Sequence, residues 1–97
     1  MLRNALEANP DDTTIHPFLG WALYNAGGSP AAFQEAEGII KKAIEIDSNN
    51  YLAYLYLGKI YKAERQLDFA ELHFVRALQL NIDCTEAKEE MKSLYQR

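Results

Sequence analysis

Thiol catalysis needs a cysteine beside a general base, and this sequence offers one cysteine, Cys84, and two histidines, His16 and His73. His16 stands beside Pro17 at what reads as the start of a helix. With no nucleophile or second ligand at useful spacing, it is expected to be a first-turn surface histidine. His73 lies between Leu72 and Phe74 in the middle of an amphipathic stretch and is expected to pack or face solvent rather than act as a base. Cys84 follows Asp83 at the start of the last helical stretch, not near either histidine in sequence, and reads as a reactive but incidental surface thiol. One Cys and two His at no ligand spacing hold no zinc, so no metal or other cofactor is expected. Glu86, Glu89 and Glu90 could suggest a cation site. At i, i+3 and i+4 they read instead as the wet face of a final helix. Gly27-Gly28 is too short for a phosphate-cradling loop and reads as a helix end. The chain is therefore expected to carry no catalytic site.

Composition points the same way. Ninety-seven residues make one domain, and 48% hydrophobic with 25% charged residues is ordinary for a globular chain. The formal net charge of -4 repels phosphate backbones, so nucleic acid is not an expected partner. The one close cationic cluster on a helix face, Lys59, Lys62 and Arg65, is too small to reverse that. A single cysteine precludes an intrachain disulfide. No apolar run approaches the roughly 20 residues of a membrane span, and no signal-peptide stretch opens the chain. A soluble, cytoplasmic protein is expected.

The elements that position these residues repeat. Asn9-Pro10-Asp11-Asp12 matches Asp47-Ser48-Asn49-Asn50 at an offset of 38 residues, and that matches Asn81-Ile82-Asp83-Cys84 at 34. The turns before them agree: Ala5-Leu6-Glu7-Ala8, Ala43-Ile44-Glu45-Ile46 and Ala77-Leu78-Gln79-Leu80. Leu19-Gly20 returns as Leu57-Gly58, and Leu57 and Tyr61 return as Met91 and Tyr95. A fixed period of this length means stacked supersecondary units. Each unit reads as two amphipathic helices. Over 51–64, Tyr54, Leu57, Gly58 and Tyr61 fall on one face of a 3.6-residue helix. Over 68–80, Ala70, Phe74, Ala77 and Leu78 do the same. Gly58, Ala70 and Ala77 are small enough to let helix backbones approach while Tyr and Phe fill the space beside them.

Those residues resemble the tetratricopeptide repeat (TPR) signature. Tyr54, Leu57, Gly58, Tyr61, Ala70, Phe74 and Ala77 stand where that family has Trp, Leu, Gly, Tyr, Ala, Phe and Ala; the eighth position, normally Pro, is Ile82. The resemblance covers essentially the whole chain and implies an all-α fold. Antiparallel helix pairs would stack into a right-handed superhelix (an α-solenoid) of about two and a half repeats plus a capping helix. Residues 1–12 read as the second helix of a partial repeat, 13–50 and 51–84 as full repeats, and 85–97 as the capping helix. Asp83 and Glu86 are spaced as a capping-box pair for that helix. The repeat over 13–50 is four residues longer than pattern, between Gly27 and Ala36. Because Ser29 is a good N-cap and Pro30 a good first helical residue, the insertion predicts a second helix lengthened by one turn, with Ala32 and Phe33 on its apolar side.

In this family partners mostly lie along the concave face built from the first helix of each pair. Carried over residue by residue, that face comprises Thr14, Pro17, Phe18, Trp21, Tyr24 and Asn25, then Leu52, Leu55, Tyr56, Lys59, Lys62 and Ala63. The last helix adds Glu86, Glu89, Glu90 and Ser93. Positions that clamp a C-terminal carboxylate elsewhere in the family hold Pro17, Trp21, Tyr56, Glu86 and Glu90 here, and two glutamates would repel that group. The groove is instead expected to be aromatic and apolar in its first half, suited to an amphipathic helix or an extended apolar peptide. Removing an anchor such as Trp21 or Tyr56 would cost about 2 kcal/mol of binding. Two alternatives stay open: an oligomerisation element that associates through its truncated N-terminal end, and a segment regulating a larger protein. Separately, the apolar face could pack against absent or neighbouring sequence rather than a partner.

Overall fold

The computed structural model describes residues 15–95, which form five helices and no strand: α1 (His16–Gly27), α2 (Pro30–Ile46), α3 (Tyr51–Ala63), α4 (Leu67–Leu80) and α5 (Thr85–Tyr95). The half repeat expected over 1–12 and the inner-face position Thr14 lie outside the described residues.

Local chemistry accounts for the helix limits. Pro17 in the first turn of α1 lacks only an N–H that would have no intrahelical partner. Gly28 ends that helix at φ 65°, in the left-handed region, with its N–H on the Tyr24 carbonyl at 3.3 Å. Ser29 caps α2 as the sequence predicts: its Oγ accepts from the Ala32 N–H at 3.2 Å, with Pro30 as first helical residue. At 17 residues against 14 for α4, α2 carries close to one extra turn. Phe33, in that turn, sets its ring edge-on to Tyr61 at 6.1 Å. Asn50 caps α3 by accepting from the Leu52 N–H at 3.1 Å.

The two connections after α2 and α4 are built alike, 34 residues apart. Asp47 Oδ1 accepts from the Asn49 N–H at 3.0 Å, and Asn81 Oδ1 from the Asp83 N–H at 3.1 Å. The Asp47 and Asn81 carbonyls then accept from Asn50 and Cys84. Asx turns of this kind hold a tight reversal with one short side chain. A second pair keeps the same period: Tyr61 donates to the Glu37 carboxylate, and Tyr95 to that of Glu71. The internal repeat found in the sequence is therefore a structural repeat.

Consecutive helices form antiparallel hairpins. A Cβ built at Gly20 would meet Ile40 Cγ1 at 2.6 Å, and one at Gly58 would meet Phe74 Cε1 at 2.8 Å. These two glycines hold the same place in the two hairpins, and in each the missing side chain lets the second helix close in. Ring contacts from Phe18 and Trp21 to Tyr56, and ion pairs from Lys59 to Glu86 and Lys62 to Glu90, keep nearly constant sequence offsets, so α1, α3 and α5 run parallel, side by side. The core lies between this row and α2 and α4: Ala36, Ile40 and Ala43, then Ala53, Leu57 and Ile60, then Ala70, Phe74 and Ala77, all fully buried.

The α5 cap differs from expectation. The helix begins at Thr85, its first turn bonded from the Lys88 N–H to the Cys84 carbonyl at 3.2 Å, so Cys84 and not Asp83 takes the capping place. Glu86, expected to close a capping box, turns to Lys59 of α3 instead. An ion pair with a largely covered ammonium joins two opposite charges, whereas the backbone amide of a capping box offers the carboxylate only a dipole.

Candidate functional site

The row α1–α3–α5 carries most of the residues that the sequence placed on the inner face. Phe18, Trp21 and Tyr56 form one aromatic cluster spanning two helices. Phe18 meets Tyr56 edge-on at 5.1 Å, and Trp21 lies 6.0 Å from Tyr56 and 6.1 Å, nearly parallel, from Tyr24. Trp21, Tyr24 and Tyr56 are half-buried, whereas Phe18 stays 42% exposed. They meet because α1 and α3 are in register at the repeat offset: one turn separates Phe18 from Trp21, and Tyr56 sits opposite both.

Lys59 joins this cluster. Its Nζ is 4.7 Å from the Trp21 ring centroid and 5.1 Å from that of Tyr56, with Glu86 Oε2 at 2.6 Å. The negative faces of both rings and the carboxylate together hold one ammonium group. Lys62, one turn on, bonds Glu90 Oε1 at 2.6 Å and Ser93 Oγ at 2.9 Å. The acidic residues of α5, expected as a solvated face, are in part a ladder that ties α5 to α3. Sequence reasoning missed these pairs, although their offsets of 27 and 28 residues are the 34-residue repeat less about two helical turns.

At the far end of α1, Tyr24 donates to Glu64 Oε2 at 2.7 Å. Burial, then the hydrogen bond and the charge of Glu64, push the Tyr24 phenol up to about 12. Burial and Glu86 also raise Tyr56, against an opposing effect of Lys59. Asn25 turns back on its own helix, donating from Nδ2 to the Trp21 carbonyl at 2.9 Å. An open cleft of ≈ 350 Å³, lined by Tyr24, Asn25, Gly28, Ser29, Pro30 and Glu64, lies beside them.

Two expected face residues are buried instead. Leu55 is 1% exposed within the core cluster, and Pro17 is fully buried. Leu52, one turn before Tyr56, is partly buried against the core. Ala63 is exposed at the end of α3.

The chemistry-bearing residues also differ from expectation in part. His16 and Cys84, read from sequence as surface groups, are 9% and 7% exposed. Cys84 packs within the main core. His73 packs as expected, its ring between Tyr54 at 6.1 Å and Tyr61 at 5.1 Å. Its Nδ1 is 2.7 Å from the Phe69 carbonyl, which can only accept, so Nδ1 carries the proton. Burial lowers the His73 pKa, an effect that this bond opposes. Among the described residues no group of three or more His, Cys, Asp or Glu is placed to hold a metal ion, and no helix is long and apolar enough to cross a membrane. On α4, Phe69, Leu72 and Val75 are exposed, a second apolar strip that the signature positions gave no reason to expect.

No protein-family model matches the chain, and a search of curated proteins finds no match.

Proposed function

We propose that this chain is a TPR-type protein-interaction module whose α1–α3–α5 row binds an amphipathic helix or an extended apolar segment of another protein. The signature residues, the repeated Asx turns and the repeated Tyr–Glu bonds support the TPR reading, and with it a right-handed superhelix whose inner surface is this row. The observation that carries the binding reading is the aromatic cluster. Phe18 remains 42% exposed while set edge-on to Tyr56, and Trp21 and Tyr56 extend the same apolar patch across two helices. Exposed, rigid aromatic groups of this kind serve as anchors at protein interfaces. No catalytic role is proposed.

Selection from a displayed peptide library tests the reading. Enriched peptides are expected to carry spaced apolar side chains and to lose about 2 kcal/mol of binding on Trp21→Ala. Peptides that bind Trp21→Ala as well as the parent would refute it. Light scattering across the micromolar range adds the other arm: dimers that vanish in Trp21→Ala would mean that the patch meets a second copy instead.

A further inference from the structure

The charges around the aromatic cluster select the kind of segment that fits it. From His16 to Gly27, α1 contains no Lys, Arg, Asp or Glu. Among the described residues, the charged side chains on this face are Lys59 and Lys62 on α3 and Glu86, Glu89 and Glu90 on α5. Lys88 and Lys92, at i+2 and i+6 from Glu86, lie on the other side of α5, and Glu64 and Arg65 just after α3 cancel. Three carboxylates against two ammonium groups leave one negative charge in excess on the face.

Neither lysine is available to a partner. Lys59 has a side chain only 17% exposed, held between the Trp21 and Tyr56 rings and bonded to Glu86. Lys62 is committed to Glu90 and Ser93. An acidic partner lying over Phe18, Trp21 and Tyr56 would meet no free lysine beside them and would have to break ion pairs that join α3 to α5.

The carboxylates are differently placed. Glu86 is 46% exposed and uses only Oε2 on Lys59, leaving Oε1 open. Glu89 is exposed, makes no ion pair among the described residues, and shares a helix face with Glu86 and Ser93 at i+3 and i−4. The rings themselves already take a cation, as the position of Lys59 shows.

Resting on the interaction-module reading above, we infer that the occupant of this face is a basic amphipathic helix of another protein. Its apolar side chains cover Phe18, Trp21 and Tyr56, and its Lys or Arg residues lie on the α5 side against Glu86 and Glu89.

Trp21 is the sole tryptophan, so its emission reports on the face directly. The full chain is titrated with two synthetic Trp-free peptides of amphipathic helical spacing, one built of Leu and Lys and one of Leu and Glu. The Leu/Lys peptide is expected to shift Trp21 emission with a Kd about tenfold lower than the Leu/Glu peptide, a preference that salt erodes. Glu89→Lys is expected to weaken the Leu/Lys peptide about threefold, as befits one exposed charge contact. Phe18→Ala weakens both peptides. Equal or tighter binding of the Leu/Glu peptide would overturn the basic-partner inference and leave the groove reading standing. Failure of both peptides to move Trp21 emission would overturn both. Leu/Lys binding indifferent to Phe18→Ala and Glu89→Lys would place the contact elsewhere and sink the inference. Circular dichroism of each variant confirms an intact fold.

Discussion

The turn that closes the second hairpin makes a sharp energetic prediction at Arg65. Helix α3 ends in a Schellman arrangement: the Gln66 N–H reaches the Tyr61 carbonyl at 2.9 Å, and the Arg65 N–H reaches that of Lys62 at 3.0 Å. This geometry puts the residue between them in the left-handed region, and Arg65 sits there at φ 63°, alone among the described non-glycine residues. A residue with a Cβ incurs roughly 1–2 kcal/mol in that region. Glycine removes the clash, but its larger unfolded-state entropy offsets about 0.4–1 kcal/mol of the gain. The Arg65 side chain is exposed and makes no ion pair among the described residues, so its loss removes little. Arg65→Gly should therefore stabilise the chain by about 0.5–1 kcal/mol. In a domain of this size that is a rise in Tm of about 4 °C.

Urea unfolding followed by circular dichroism gives the comparison, with Arg65→Ala as the control. Alanine keeps the Cβ and deletes the charge, so it should leave the midpoint nearly unchanged. Glycine should raise the midpoint at constant m-value. If alanine stabilises as much as glycine, side-chain charge and not backbone strain is the cause. If glycine destabilises, the left-handed turn is not the ground state of this loop and the reasoning fails.

Gly58→Ala would press its new methyl against Phe74 at 2.8 Å in a fully buried position, and should cost about 1–3 kcal/mol; adding Phe74→Leu should recover part of it, and a simple sum of the two losses would show that the two sites do not touch. Tyr24 makes an alkaline prediction. Its folded pKa is raised above 10, so its bond to Glu64 contributes fully below pH 10 and is lost as pH climbs toward about 12. Denaturation midpoints of Tyr24→Phe should fall less steeply over that window than those of the parent; equal slopes would rule Tyr24 out as a source of the alkaline loss.

Short-range physics was legible in the sequence. Ser29-Pro30 marks a helix start because a hydroxyl cap and a proline at N1 act within one turn, and α2 begins there. Leu57, Gly58, Ala70, Phe74 and Ala77 are buried as their 3.6-residue spacing requires, since that spacing alone decides which residues share a helix face. The repeat period was enough to say that each unit holds two amphipathic helices, whereas the expectation that Phe18, Trp21, Tyr56 and Lys59 share one surface came from the resemblance to the TPR signature.

What the tertiary structure decided depends on how far each helix is rotated and shifted against its neighbours, a quantity that no local pattern encodes. Rotation put Leu55 in the core and left Leu52, three residues before it, only partly covered. Packing into the core covered Cys84, which a single helix would have shown to water. The shift of α5 along α3 brought Glu86 and Glu90 to Lys59 and Lys62 at 2.6 Å, turning an apparent solvated acidic face into an interhelical ladder. That shift also settles the electrostatic character of the face. Composition shows only an acidic chain, whereas the pairing geometry shows Lys59 and Lys62 occupied and Glu89 left without an ion pair among the described residues, and a charge already held by a near opposite charge acts weakly on a partner.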